Sequence, residues 1–78
     1  MTVKEYKKRL WDNLRVARRN LKISQIVASE RIGKAKSTIG TWESHKGFPR
    51  IETFLKICEL YEVKPEDMLS KDLEILEC

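Results

Sequence analysis

The residue types that usually carry catalysis are scarce in this sequence of 78 residues. His45 is its only histidine, and it has no partner at the spacing of a metal-binding motif. Cys58 falls within an apolar helical pattern and Cys78 is the last residue of the sequence, and neither has a base nearby that would activate a nucleophile. No glycine-rich phosphate loop is present. The sequence therefore predicts no enzyme activity, no metal and no cofactor.

The basic residues are more informative, because they are unevenly distributed along the chain. Residues 1–50 hold 13 Lys/Arg and four acidic residues, a net charge of +9. Residues 51–78 hold three Lys and eight acidic residues, a net charge of −5. This asymmetry predicts a polyanionic partner for the first half of the chain and a different contact for the second. The alternative interpretation is a merely solvated surface.

Length and composition limit the class of protein. A chain of 78 residues fits one domain, residues 1–78, with a core only just large enough to fold unaided. The 36% of charged residues is typical of a helical globular domain rather than of a disordered chain. Two cysteines are too few for a disulfide scaffold, which predicts reduced thiols and a cytoplasmic location. No apolar run approaches the length of a membrane span, so no membrane contact is expected.

Helices, and no strand, are predicted to position these residues. Thr2 and Glu5 form a T-x-x-E capping box, which predicts that a first helix begins near Val3. Apolar residues then recur at every third or fourth position along one face of this helix. They are Val3, Tyr6, Leu10, Leu14, Ala17 and Leu21.

Turn and cap residues divide the rest of the chain into four shorter helices. Ser24 predicts the start of the second helix and Gly33 its end. The third is expected over residues 36–44, and an apolar stripe from Ile51 predicts the fourth. Pro65 suits the first turn of the fifth. Three further residues, Leu69, Leu73 and Leu76, predict a C-terminal helical extension. The predicted fold is an all-α compact five-helix bundle.

The segment over residues 24–44 has the organisation of two helices joined by a tight glycine turn. Such helices cross steeply, and the second one projects from the surface. Ile39 and Trp42 mark the buried side of this second helix, so four other residues face outward. They are Lys36, Ser37, Gly40 and Thr41. A lysine can donate to guanine O6 and N7, and hydroxyl groups can contact base edges or a thymine methyl group. These four are the predicted DNA base contacts.

A longer ordered set of residues carries a family resemblance across residues 14–69. The set comprises Arg18, Ile23-Ser24-Gln25, Gly33, Ser37-Thr38-Ile39, Trp42-Glu43, Pro49, Phe54, Ile57 and the run VKPEDML at 63–69. In this order and spacing, the chain resembles the phage repressor and Cro (XRE-type) family of helix-turn-helix domains. The resemblance implies a lambda-repressor-like DNA-binding domain in which residues 24–44 form the DNA-reading unit.

The resemblance also implies a function. The chain is expected to be a sequence-specific double-stranded DNA-binding transcriptional regulator of bacterial or phage origin, of the repressor type. Its recognition helix, residues 36–44, is expected to enter the major groove, with a dimer on a palindromic operator. Arg18 and Glu43 match a family pair in which the first helix grips the end of the third.

Five residues around the recognition helix are the predicted phosphate contacts. Gln25 occupies the family position at the start of helix two, where a glutamine commonly reaches a phosphate and braces the recognition helix. The other four flank that helix: Lys34, Thr38, Lys46 and Arg50. Arg50 directly follows Pro49 in the loop before the fourth helix, which suggests the further hypothesis of a minor-groove contact.

Some positions depart from the family pattern. Gly40 lies inside a helix, at a cost of about 1 kcal/mol relative to alanine. A bare backbone there suits close approach to DNA, with tight packing as the alternative. Ile26 and Val27 stand where polar residues are usual. Because family members usually place serine or threonine where this chain has Ala35 and Lys64, we also expect weak helix caps and modest stability.

The acidic segment over residues 64–78 is predicted to have a second role. It is a poor DNA surface, but it holds more apolar residues than a terminal helix needs for its own packing. The homodimer interface predicted from it comprises Met68, Leu69, Leu73 and Leu76. The alternative is that Leu69 and Leu73 only close the monomer core. Two other functions stay open: an antitoxin-like protein that also binds a small protein partner, and a helix-turn-helix used for protein contacts alone.

Overall fold

The fold was taken from a computed structural model, which describes residues 1–75. Within these residues there are five α-helices and no strand. The helices are α1 (Val3–Asn20), α2 (Gln25–Arg31), α3 (Thr38–Glu43), α4 (Ile51–Tyr61) and α5 (Pro65–Ser70). The predicted all-α fold of five helices is confirmed. None of the helices in this part of the chain is long and apolar enough to cross a bilayer.

The first helix begins as its capping box predicts. The Thr2 hydroxyl accepts a hydrogen bond from the Glu5 N–H at 3.2 Å, and the Glu5 carboxylate accepts one from the Thr2 N–H at 3.1 Å. The predicted apolar stripe, however, is buried only from Leu10 onward. Val3 is 71% exposed and Tyr6 is 39% exposed. The first two turns of α1 therefore leave apolar surface uncovered.

The core lies where α1 packs against α5 and α3. α2 packs against α3, and α4 packs against α5. Eleven buried apolar residues form one cluster drawn from all five helices and the turn after α2: Leu10, Leu14, Ala17, Ala28, Ile32, Ile39, Phe54, Ile57, Cys58, Tyr61 and Met68. A single small core of this kind explains why each helix depends on its neighbours for stability.

The start of α3 differs from the prediction. Ser37 is its N-cap, so the helix begins at Thr38 and Lys36 lies in the preceding turn rather than in the helix. Ser37 makes no side-chain cap hydrogen bond. The Ile39 N–H instead donates to the buried Ser29 hydroxyl of α2 at 3.0 Å. A side chain of α2 thus caps α3, which is a long-range contact that local sequence patterns do not report.

The end of α5 also differs from the prediction. The helix ends at Ser70, and Lys71 has an extended backbone with φ −96° and ψ 154°. The buried Asn13 amide of α1 donates to the carbonyls of Met68 and Lys71, at 2.8 and 2.7 Å. The Asn13 oxygen accepts from the Leu73 N–H at 3.1 Å. Because α1 supplies these partners, the predicted helical extension is wrong through residue 75.

The burial of the C-terminal residues changes the predicted dimer interface. Met68 is fully buried in the monomer core and is not accessible to a second copy. Leu69 and Leu73 are partly buried and pack against the same core. Leu76 lies outside the described residues. The burial of Met68 thus corrects one residue of the predicted interface, and Leu69 and Leu73 pack as the alternative expects. Ile75, in the same segment, is 55% exposed.

Candidate nucleic-acid interface

The exposed face of α3 and of the turn before it is polar. Ile39 is fully buried beneath the helix and Trp42 is partly buried. On the opposite side Lys36, Ser37 and Thr41 are exposed. The Thr41 hydroxyl donates to the Ser37 carbonyl at 2.9 Å, which leaves its lone pairs available as acceptors. The sequence-predicted base contacts thus lie on one solvent-facing side of the helix.

An open concavity of about 570 Å³ lies between the start of α2 and this face. It brings together all four predicted base contacts with two of the predicted phosphate contacts, Gln25 and Lys46. The residues that line it are Gln25, Ile26, Lys36, Ser37, Gly40, Thr41, Ser44 and Lys46. Ile26 is 49% exposed, and it is the one apolar side chain of this lining. The concavity therefore offers hydrogen-bond donors, hydroxyl groups and one apolar contact to a ligand.

A buried ion pair fixes α3 relative to α1. Arg18 Nε donates to Glu43 Oε2 at 2.7 Å, and Nη2 donates to Glu43 Oε1 at 3.0 Å. The hydrogen bonds to Glu43 raise the pKa of Arg18 against the opposing effect of burial. The third guanidinium nitrogen donates to the Ile23 carbonyl at 2.8 Å. The Arg18 guanidinium thus joins α1 to the segment before α2 and, through two hydrogen bonds to Glu43, to the end of α3. These contacts fix the orientation of the three helices relative to one another.

Gln25 joins this network from α2. Its amide donates to Glu43 Oε1 at 3.1 Å. Gly40 gives the space for it, because a Cβ atom at Gly40 would lie 2.9 Å from the Gln25 side-chain oxygen. The alternative explanation of Gly40, tight packing, therefore has a contact to support it. Gln25 thus links the start of α2 to the end of α3, and its side chain also lines the concavity.

Three of the predicted phosphate contacts do not line the concavity: Lys34, Thr38 and Arg50. Lys34 and Arg50 are exposed, whereas Thr38 is partly buried in the first turn of α3. Arg50 is the N-cap of α4 and follows the buried Pro49. Lys46 is exposed and lines the concavity. Lys34, Lys46 and Arg50 are therefore all accessible to an anionic partner.

Two residues of this site were missed by the sequence analysis. Ser29 is fully buried and sets the start of α3, yet a lone serine in an apolar pattern gives no local signal of its partner. Ile26 was noted only as a departure from the usual polar residue. Its exposed apolar character in a polar segment was the available signal.

The described residues offer no alternative chemistry at this surface. Among residues 1–75 no group of three or more His, Cys, Asp or Glu side chains could hold a metal ion. Cys58 is buried, and burial raises the pKa of its thiol to about 11, so it remains protonated at neutral pH.

Comparison with known proteins agrees with this geometry. A helix-turn-helix family model matches residues 14–68, which include α2, the turn and α3. Neither the curated proteins nor the solved structures that were compared gave a significant match. This family is non-enzymatic, and its domain binds DNA. The chain therefore belongs to the helix-turn-helix family of the XRE/Cro type.

Proposed function

We propose that this chain is a sequence-specific double-stranded DNA-binding transcriptional regulator that acts as a repressor. The proposal rests chiefly on the polar face of α3, which the Arg18–Glu43 pair and Gln25 hold in a fixed position beside an open concavity. An α-helix with such a face fits the major groove of B-DNA. Its proposed location is the cytoplasm, where thiols such as that of Cys58 stay reduced.

Base readout is assigned to the residues that line the concavity. Lys36 is proposed to donate to guanine O6 and N7, and Ser37 and Thr41 to contact base edges. Gly40 contributes no side chain, so its proposed role is close approach of the helix backbone to the base pairs. The proposed phosphate contacts are Gln25, Lys34, Thr38, Lys46 and Arg50.

Selection of bound sites from random duplex DNA tests this function. We expect a palindromic consensus, because a short recognition helix reads only a few base pairs and two of them are needed for useful specificity. A Lys36→Ala variant is expected to relax the preference at one base pair of each half-site. Lys56→Ala, on the exposed side of α4, is the matched control and is expected to leave the consensus unchanged. Recovery of unrelated sequences with the wild-type protein would contradict the proposal.

A homodimer is part of the proposal. Because Met68 is buried, we place the contact on a different surface from the C-terminal segment. Val3, Tyr6, Phe48 and Ile51 form an exposed apolar face around a cavity of about 310 Å³. Phe48 and Ile51 flank Arg50 in sequence. A two-fold contact between copies through this face would bring the two Arg50 side chains near the centre of an operator, where the minor-groove hypothesis needs them.

Sedimentation of two variants locates this contact. Ile51 is 67% exposed, so Ile51→Lys is expected to preserve the fold and to dissociate the dimer. Leu55→Lys places the same charge on an exposed α4 residue outside the apolar face and is the control. A truncation after Ser70 is expected to leave the dimer intact. The opposite pattern, with a monomeric truncation and a dimeric Ile51→Lys protein, would return the interface to the C-terminal segment.

The same apolar face favours one second candidate function. In an antitoxin-like protein, a small protein partner would occupy the face instead of a second copy. A wild-type chain that stays monomeric at high concentration and co-purifies with one defined protein through Ile51 would support this candidate over the homodimer.

A further inference from the structure

The loop between α3 and α4, residues 44–50, is tied to α1 by three contacts. The His45 ring stacks on Trp11, with the ring centroids 5.0 Å apart and the planes at 19°. His45 Nε2 lies 2.9 Å from Asp12 Oδ1. Trp11 Nε1 donates to the Gly47 carbonyl at 2.9 Å. Two neighbouring residues of one helix thus hold the loop at two points.

The backbone conformation of this loop is one that contacts from outside the loop must stabilise. His45 has φ +66°, a left-handed conformation that is unfavourable for a residue with a Cβ atom. Gly47 has φ +71° and packs beside Trp42. A loop with a left-handed histidine has other conformations open to it, so its observed shape depends on what holds it. The stack and the Asp12 hydrogen bond both act on that histidine.

This loop carries two of the proposed phosphate contacts, Lys46 and Arg50, and both are exposed. We propose that Trp11, Asp12 and His45 are positioning residues that hold the loop in the conformation in which Lys46 and Arg50 meet the DNA backbone. The inference rests on the proposed DNA-binding function, and it adds residues of α1 to the binding machinery although none of them is assigned a DNA contact. Ordering the loop before binding removes an entropy cost that the complex would otherwise carry.

The Asp12 carboxylate has a second partner on its own helix. Asp12 of α1 faces His45, and Lys8 of α1 donates to the same carboxylate at 3.1 Å. Burial opposes ionisation of Asp12, but the hydrogen bonds from Lys8 and His45 outweigh it and lower the pKa of the carboxyl. Because an ionised carboxylate can only accept hydrogen bonds, the His45 ring donates from Nε2 in this contact.

Replacing Asp12 by asparagine distinguishes a positioning role from a long-range electrostatic effect, because the two predict opposite changes in DNA affinity. Removing a negative charge from a DNA-binding protein should by itself strengthen binding. We expect Asp12→Asn to weaken operator binding by about two- to fivefold instead, the range of an exposed ion pair. Asp72→Asn is the matched control, because it also removes one charge and one ion pair with α1, that of Arg9, away from the loop. Trp11→Phe, which loses the hydrogen bond to Gly47 and keeps a smaller aromatic ring beside His45, is expected to act in the same direction as Asp12→Asn.

A double-mutant cycle distinguishes positioning from a direct phosphate contact by His45. Under the inference, Asp12→Asn and His45→Gln each weaken operator binding, and the double variant binds no more weakly than the weaker of the two single variants. Fully additive losses would overturn the inference, since His45 would then act on DNA independently of Asp12. Equal or tighter binding by folded Asp12→Asn would also overturn it, while wild-type operator binding leaves the proposed function intact. Absence of specific binding by the wild-type protein would overturn both.

Discussion

Tyr61 carries a polar hydroxyl group in a buried, apolar environment. Its side chain is 3% exposed, and its hydroxyl has no hydrogen-bond partner among residues 1–75. Burial and the nearby Glu43 charge raise the pKa of the hydroxyl, so it stays neutral. A buried hydroxyl without a partner costs free energy that the aromatic ring offsets by its packing.

Tyr61→Phe is therefore expected to increase the free energy of unfolding by about 1 kcal/mol, because the ring stays and the desolvated hydroxyl is removed. Urea denaturation measures this change. Tyr6→Phe removes a hydroxyl from a side chain that is 39% exposed and is expected to leave stability unchanged. A less stable Tyr61→Phe protein would mean that the hydroxyl makes a favourable contact.

Ile26 is the residue whose exposure suggests a specific contact with DNA. The thymine 5-methyl group is the apolar group on the major-groove edge of the base pairs, and Ile26 is the apolar member of the concavity lining. We expect replacement of the contacted thymine by deoxyuridine to weaken wild-type binding by about fourfold, the value of one buried methyl group. The Ile26→Ala protein should lose much less on the same replacement.

Val27→Ala provides the control for this prediction. Val27 is 37% exposed but does not line the concavity, so its variant should respond to deoxyuridine as the wild type does. Competition binding on the selected operator, with each thymine replaced in turn, gives the measurement. If no thymine position shows a dependence on Ile26, the contact does not exist.

At the scale of the elements, α1 determines how the other helices end and turn. Arg18 of α1 holds the end of α3, and Asn13 of α1 holds the end of α5. Ser29 of α2 holds the start of α3. These short helices have few intrahelical hydrogen bonds of their own, so side chains from neighbouring helices replace the missing local caps. The helix α3 is therefore positioned by its neighbours more than by its own sequence.

Asn13→Ala is expected to destabilise the domain by about 2–3 kcal/mol. The change leaves the Met68 carbonyl without its amide donor in a buried place, and it also frees Lys71 and Leu73. Thermal or urea denaturation measures the loss. Asn20→Ala, which removes an exposed hydrogen bond to the Glu74 carbonyl, should cost less than about 1 kcal/mol. A cost for Asn13→Ala no larger than that of the control would show that the end of α5 does not depend on α1.

At the scale of the whole molecule, charge is distributed unevenly along the chain. The net charge of +9 over residues 1–50 includes α1, α2 and α3, whereas residues 51–78 carry −5. The apolar face lies between the start of α1 and the start of α4. The positive charge of the first three helices attracts a polyanion such as DNA.

The salt dependence of DNA binding tests this arrangement. Three cations per chain, Lys34, Lys46 and Arg50, are proposed to meet phosphates, so a dimer neutralises about six. The logarithm of the binding constant should then fall with the logarithm of salt concentration with a slope of about −5. Lys34→Ala should reduce the slope by about 2 in the dimer, and Lys56→Ala should leave it unchanged. A wild-type slope near zero would contradict phosphate contact as the source of affinity.

Several features of the fold and the site followed from the sequence by itself. The capping box at Thr2, the cap at Ser24 and the proline at Pro65 marked the starts of three helices, because these signals act within one turn. Apolar periodicity gave α4 from Ile51. The ordered set of residues across 14–69 carried the family resemblance. The helix starts and the apolar stripe depend on residues a few positions apart, whose geometry is fixed by the helix itself.

Tertiary structure alone decided the rest. These features are the burial of Met68, the end of α5 at Ser70, the cap that Ser29 gives α3 and the contact of His45 with Asp12. The hydrogen bonds behind them join residues 10 to 60 positions apart. The exposure of Val3 likewise depends on how the other helices pack against α1. A hydrophobic pattern states which side of a helix prefers to be buried, but the partner that buries it, or caps its end, is chosen when the helices pack.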